Sequence, residues 1–369
     1  MELHKTLLEA LNRVIEVQGT DLLLTVGTCP GVRLDAAVQP VDDLPVLDDD
    51  AMNEVLGDLL DATQAEALAR DRDVDFAFSY GHERFRGNVF YERGKPSVAL
   101  RLIQGEIPSF DEIGMPDVIR ELISRKQGLI LFCGPTGSGK STSMATMVEA
   151  VAKTRPCHII TIEDPIEYLH DNHQALVHQR EVGIDTPSFA RALRAALRED
   201  PDVVLVGEMR DAESIAITLT LAETGHLVMS SLHTNDAPQT LDRIVDVFPA
   251  DRQGQIRMQL ASTLTAVVAQ RLVPFIGGGL IAVFEVLLGT PAVSNLIREG
   301  KTRQLRNAMQ IALGAGHRTI EMALNELVAE GAITMEDAIA TAFVPHEIDP
   351  SLSPFTARTD VVEPATRTG

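Results

Sequence analysis

The stretch Gly134-Pro135-Thr136-Gly137-Ser138-Gly139-Lys140-Ser141-Thr142 limits what this chain can fold into more than any other. A glycine, four residues, then Gly-Lys-Ser is the spacing of a phosphate-binding P-loop. Its glycines let successive backbone N–H groups turn inward around a phosphate, and Lys140 carries positive charge to the outer phosphates. Ser141 supplies a hydroxyl suited to Mg²⁺. The motif works only between a strand and a helix. The flanks agree, with the apolar run 129–132 before it and the helix-compatible run 142–152 after it. A glycine-rich surface turn, the competing reading, needs neither flank.

From residue 128 onward, apolar runs at 129–133, 158–162, 203–206 and 227–232 alternate with helical segments, among them 188–199 and 211–223. This pattern predicts an α/β fold whose mostly parallel sheet is covered on both faces. Ligands of such sheets bind at the carboxyl ends of the strands. Those ends carry the P-loop, Glu163-Asp164, Gly207-Glu208 and His233-Thr234-Asn235. After residue 236 the pattern is mostly helical, with one further apolar strand at 280–287.

Before the P-loop the pattern differs. A helix over 3–18 places Leu3, Leu7, Leu11, Val14 and Ile15 on one side, with Gly19 as a stop. Short alternating runs follow at 21–26, 31–34, 74–78, 84–90 and 97–101, interrupted by one helix over 49–69. Residues 1–102 are therefore expected to form a smaller α+β domain with an antiparallel sheet. Residues 103–114, with Gly105 and Pro108, read as a linker. Residues 115–344 read as the P-loop domain with a helical C-terminal part, opening on a helix over 115–126. Residues 345–369, rich in Pro, Thr, Ser and Asp, read as a disordered tail.

Charge and cysteine usage exclude other classes. With 53 acidic against 32 basic side chains the net charge is −21, the wrong sign for a protein that coats a nucleic-acid backbone. Cys29, Cys133 and Cys157 form no C-x-x-C pair, so no disulfide framework or four-cysteine zinc site is expected. No apolar run approaches the length of about 18 residues that spans a bilayer. The expectation is a cytoplasmic chain that meets a membrane only through a partner.

Three segments carry a family resemblance. Residues 161–168 (Thr-Ile-Glu-Asp-Pro-Ile-Glu-Tyr), 196–211 (Ala-Leu-Arg-Glu-Asp-Pro-Asp-Val-Val-Leu-Val-Gly-Glu-Met-Arg-Asp) and 222–234, from Ala-Glu-Thr-Gly-His to His-Thr, resemble the Asp box, Walker B and His box of type IV pilus and type II secretion motor ATPases. The resemblance runs from about residue 5 to about residue 343, and its nearest branch is the PilT-type pilus retraction, or twitching motility, ATPases. It implies a RecA-like ATPase domain preceded by a smaller PAS-like domain. It also implies a homohexamer that binds ATP and Mg²⁺ between subunits and moves pilin subunits out of the fibre. Its place would be beneath an inner-membrane platform protein, at the cytoplasmic face.

Phosphoryl transfer to water needs a cradle, a metal, a positioned water and a neutralising cation. Glu163 is the candidate for orienting or activating the water, and a solvated acid beside a turn proline is its alternative. Glu208 is the candidate for polarising the Mg²⁺ shell, and the base role is open between these two glutamates. His233, at a strand end, fits a phosphate sensor. His226 is as well explained as a structural histidine. Arg86 and Arg101 resemble the family's arginines that reach the γ-phosphate from a neighbouring domain or subunit. Arg84 lies on the same face as Arg86, and plain surface charge is the alternative for all three. Arg191, Arg194 and Arg198 form a helical stripe, either solvated or at a subunit interface.

Two positions depart from the family. Ser294 stands where the retraction branch usually has an arginine in its AIRNLIRE-like segment, here Ala292 to Glu299, and Leu23 stands where relatives often have a histidine. The near alternative is a pilus assembly or type II secretion motor, which usually carries a longer amino-terminal region and a four-cysteine zinc module. A nucleic-acid translocase and a non-hydrolysing nucleotide-binding accessory are the further alternatives. The charge speaks against the first of these, and Lys140, Glu163 and Glu208 against the second.

Overall fold

The computed structural model describes residues 4–352 apart from 35, 36, 82, 104, 105, 313 and 315. The chain divides into two compact units, residues 1–107 with Glu167–Leu169, and 108–166 with 170–369.

The first unit begins with α1 (Lys5–Glu16), which buries Leu7, Ala10, Leu11 and Val14 at helical spacing. Strands β1 (Asp21–Thr25), β2 (Gly31–Leu34) and β3 (Ala37–Pro40) follow. Then come α2 (Asp49–Leu59), α3 (Ala62–Asp71), β4 (Asp73–Tyr80), β5 (Glu83–Glu92) and β6 (Lys95–Ile103). The strands form an antiparallel sheet in the order β3-β2-β1-β6-β5-β4. Strand β3 was not expected. It is exposed along its length and ends at Pro40, as befits an edge strand with no core face to betray it. The single helix expected over 49–69 is two. Leu60 is extended, and Asp61 starts a new helix through a reciprocal capping box with Gln64, whose hydrogen bonds measure 2.8 and 2.9 Å.

The second unit opens on α4 (Asp117–Arg120), which tightens into a 3₁₀ turn at Glu121–Ser124. The longer helix expected over 115–126 is thus cut short. Next come β7 (Gly128–Cys133), α5 (Lys140–Thr154), β8 (His158–Glu163), β9 (Leu176–Glu181), α6 (Phe189–Ala196) and β10 (Val203–Val206). They are followed by α7 (Ala212–Glu223), β11 (Leu227–Leu232), α8 (Ala237–Asp246), α9 (Ala250–Thr263), β12 (Leu264–Pro274) and β13 (Leu280–Leu288). The sheet order is β13-β12-β7-β11-β10-β8-β9, parallel except for the β12–β13 hairpin.

Helices cover both faces of this sheet. Leu129, Leu131 and Cys133 of β7 enter the core under α6 to α9, while Ile130 and Phe132 enter the core under α5. Such a strand is apolar on both sides and reads as a continuous run. Strand β12 shows the cost of that ambiguity. Residues 264–274 fall in the stretch expected to be mostly helical, with a strand only at 280–287, yet they pair with β7 on one side and β13 on the other. An apolar run without alternation fits a buried strand and a buried helix equally. The edge strand β9 was missed for the opposite reason, since its Leu-Val-His-Gln-Arg-Glu is mostly polar.

Helices α10 (Pro291–Arg298), α11 (Leu305–Ile311), α12 (Ile320–Ala329) and α13 (Met335–Thr341) complete the unit. The tail expected from residue 345 does not begin there. Pro345–Glu347 forms a 3₁₀ turn, and Ile348, 4% exposed, joins a cluster with Val273, Ile320, Leu324 and Val328. Glu347 accepts a 2.7 Å hydrogen bond from Arg306. One apolar anchor in a polar stretch was lost in the average composition. Residues 353–369 lie outside the described residues. No described helix is long and apolar enough to cross a membrane.

Candidate active site

The P-loop joins β7 to α5 in the middle of the sheet, so a rigid strand and a helix amino terminus define both of its ends. Gly134, Gly137 and Gly139 have φ of 150°, 77° and 83°. At Gly137 the backbone angle alone calls for glycine. At Gly134 a Cβ would also lie 2.3 Å from the main-chain oxygen of Gln270, and at Gly139 2.9 Å from its Nε2. The loop thus rests directly on β12. Gln270 is buried there, and its Oε1 accepts a 2.9 Å hydrogen bond from Ser143 in α5.

Lys140, only 6% exposed, curls back over the loop and donates to the carbonyls of Gly134 and Pro135, each at 2.9 Å. Ser141 and Thr142 are half-buried in the first turn of α5, and Pro135 and Thr136 are exposed. Ser138 Oγ is buried without a hydrogen-bond partner among the described residues. Buried polar atoms are normally paired, so a cradle of this shape with an orphaned hydroxyl and a buried ammonium fits a polyphosphate. The thiol of Cys133, immediately before the loop, is pushed up to about 12 by burial and has no reactive character.

The neighbouring strand ends deliver the acids. Strands β7, β11, β10 and β8 lie side by side, so their ends span about 14 Å of sheet edge. Glu163 closes β8. Its Oε1 accepts hydrogen bonds from Thr161 Oγ1 at 2.5 Å and Gln179 Nε2 at 3.3 Å. Glu208 lies just beyond β10 with its side chain 16% exposed. One carboxylate oxygen pairs with Arg210, and the other lies 3.3 Å from His233 Nε2. Arg210 also donates to Asp164 at 3.2 Å. The Glu208 carboxylate, then Asp164, raise the pKa of its guanidinium further. The edge therefore holds a chain of alternating polarity, His233, Glu208, Arg210 and Asp164.

Ser141 and Glu208 are oxygen donors of the kind Mg²⁺ takes. That ion is held by one or two protein oxygens together with substrate phosphates. Among the described residues no group of three or more His, Cys, Asp or Glu is able to hold a metal ion by itself.

His226 sits at the opposite end of β11 from His233, about 20 Å away along the strand. Its Nδ1 lies 2.8 Å from Leu221 O and 3.1 Å from Thr224 Oγ1, so it closes the last turn of α7. These contacts fit the structural reading of this histidine. On α6, Arg194 pairs with Glu213 of α7 and Arg191 is exposed, whereas the helix ends at Ala196 and leaves Arg198, also exposed, in the turn beyond it, so the expected helical stripe holds only the first two. Ser294 is half-buried in α10, where its carbonyl accepts from Arg298.

Arg86 and Arg101 belong to the first unit. They stand directly opposite each other on β5 and β6, and Arg101 is in turn opposite Asp21 of β1, which faces Arg33 of β2. Residues so paired share one face of the sheet. Asp21 accepts from Arg101 Nε at 2.8 Å and lies 3.3 Å from Arg33 Nε. Arg86 is exposed and makes no hydrogen bond or ion pair among the described residues, whereas Arg84 is half-buried with Ile103 opposite. Arg210, Gln179, Gln270, Asp21 and Arg33 were not singled out from the sequence. Arg210 alone carried a signal, its position two residues after Glu208 in a strand-end motif.

Known proteins resemble this chain along most of its length. Residues 70–340 match the family of type II/IV secretion system proteins. The type IV pilus retractation ATPase PilT of Pseudomonas aeruginosa is 43% identical over 328 residues, covering 89% of this chain and 95% of the relative. The type IV pilus ATPase PilU of the same organism is 42% identical over 334 residues, covering 90% and 87%. A crystal structure of the pilus retraction motor PilT with bound ADP superimposes with a TM-score of 0.87 at 46% identity, covering 94% of this chain and 99% of that one. With its P-loop, acidic strand ends and His233 on one sheet edge, the chain belongs to the type II/IV secretion system protein family.

Proposed function

We propose that the chain is an ATP-hydrolysing motor that drives retraction of type IV pili. The observation that carries this reading is the likeness to PilT over nearly the whole length of both chains. In this reading six copies form a ring at the cytoplasmic face of the inner membrane. The ring works beneath a platform protein and acts on the pilin fibre through it.

Residues 134–142 bind the triphosphate, with Lys140 turning from its loop carbonyls toward the outer phosphates. Ser141 and Glu208 would hold Mg²⁺, which when bound neutralises phosphate oxygens. Glu163 orients the attacking water and accepts its proton. His233, against Glu208, senses the outer phosphate. Arg86 and Arg101 neutralise charge developing on the phosphate of a neighbouring subunit, and trans arginines of this kind are worth about 10³ to 10⁵ in rate.

Deletion of the gene followed by counting surface pili tests the direction of the motor. Excess unretracted fibres support retraction, and absent fibres assign an assembly motor. The near-equal identity to the type IV pilus ATPase PilU supports a second reading, a pilus ATPase other than the retraction motor. That reading predicts fibres retracted as in the wild type whenever a second retraction motor is present. An ATPase rate that rises with added DNA would instead indicate a translocase.

A further inference from the structure

The Glu163 carboxylate is held by more than its own strand. In the parallel register of β8 and β9, Thr161 stands opposite Gln179. Thr161, Glu163 and Gln179 therefore share one face of the sheet, and both neighbours donate to the same oxygen, Glu163 Oε1. The orientation of the Gln179 amide follows from its other end. Its Oε1 accepts the main-chain N–H of His170 at 2.8 Å, which obliges Nε2 to be the group facing Glu163.

His170 is itself fixed. Its ring is buried, and Nδ1 lies 3.1 Å from Glu149 Oε2, while His173 Nε2 and Lys153 Nζ lie 2.8 and 3.1 Å from Glu149 Oε1. Burial alone raises the pKa of the Glu149 carboxyl, but the hydrogen bonds from His170, Lys153 and His173 more than offset this and hold it at about 2. Glu149 lies on α5, the helix that begins with Lys140. A continuous chain of contacts thus runs from the P-loop helix through Glu149, the His170 main chain and Gln179 to Glu163.

We infer that Gln179 is a positioning residue for ATP hydrolysis, aiming the Glu163 carboxylate at the attacking water from a support anchored on α5. The inference rests on the reading of Glu163 as the group that takes the water proton. A general base contributes about 10² to 10⁴ to a rate and must lie within hydrogen-bond reach of its proton. A carboxylate that has lost an orienting donor spends part of its time misaimed. Turnover then falls while nucleotide affinity, which depends on the P-loop, does not.

The test is a double-mutant cycle on the full chain with Gln179→Leu and Glu163→Gln. Turnover is read by phosphate release, KM for ATP and the pH profile by steady-state kinetics, and folding by titration with a fluorescent ADP analogue. Gln179→Leu is expected to lower kcat by about 10-fold, to leave KM and ADP affinity within about 2-fold, and to move the acidic limb of the pH profile. In the Glu163→Gln background it should cost nothing further. Gln179→Asn, too short to span both contacts, is expected to behave like Gln179→Leu and serves if the leucine variant fails to fold. Wild-type turnover in both Gln179 variants, or an equal loss with and without Glu163, overturns the positioning role. Wild-type turnover in Glu163→Gln overturns the base assignment, and the positioning role with it.

Discussion

Glu285 offers a measurable test of how the second unit is held together. It lies in β13, 2% exposed, and its only hydrogen bond among the described residues is a long one of 3.4 Å from the main-chain N–H of Ala237 at the start of α8. Burial pushes its carboxyl from an ordinary 4.5 up to about 7. Asp236 and Glu321 add to the rise, and the Ala237 N–H and Arg306 oppose it. The displacement corresponds to about 3 kcal/mol of folding free energy. Below pH 4.5 the carboxyl is protonated in both states. As pH rises from 4.5 to 7 the unfolded chain releases this proton while the folded chain keeps it, so stability is lost. Above pH 7 the folded state carries the full cost of a buried carboxylate.

Glu285→Gln keeps the shape and the acceptor but cannot ionise. Its advantage over the wild type should be near zero at pH 4.5 and grow to about 3 kcal/mol above pH 7. For a unit of this size that is a rise in Tm of about 6 °C or more. The chain has no tryptophan, so calorimetry or circular dichroism is the suitable probe. A difference in Tm between variant and wild type that is the same at pH 5 and pH 8 would refute the reasoning.

Lys140→Ala should weaken ADP binding by about 100-fold or more in calorimetric titration, because Lys140 is the only cationic residue of 134–142 and its buried ammonium lies over the loop carbonyls. Glu208→Ala should still bind ATP but release phosphate about 100-fold more slowly. Equal turnover would remove Glu208 from the mechanism. Gly134→Ala places a methyl group 2.3 Å from a main-chain oxygen of β12, a strand paired on both sides that cannot retreat. It should lower stability by about 1–3 kcal/mol and weaken nucleotide binding as well. Asp61→Ala removes the cap between α2 and α3 and should cost about 1 kcal/mol in thermal unfolding, with ATP turnover unchanged.

Features written in local spacing were legible without a structure. The P-loop reads from its own residues because backbone angles, lysine and hydroxyl must follow one another in the chain. The four central strands read from apolar runs, since a strand buried on both faces has no polar positions. Legibility failed where local pattern was ambiguous or diluted. Residues 264–274 gave no period to separate strand from helix, and β9 resembled a loop. Asp61 carries a readable helix start in its Asp-x-x-Gln spacing, the local signal that divides 49–69 into two helices.

The P-loop, the acids at the strand ends and the family were determined by the sequence itself, because each is a run of adjacent residues whose order is the message. Only the tertiary structure decided which groups act together. Gln270 meets the P-loop glycines from a strand more than a hundred residues later. Arg210 joins Glu208 to Asp164, and Gln179 reaches Glu163 because β9 lies beside β8. Pairing across a sheet depends on strand order and register, and neither is written in the spacing of any one strand.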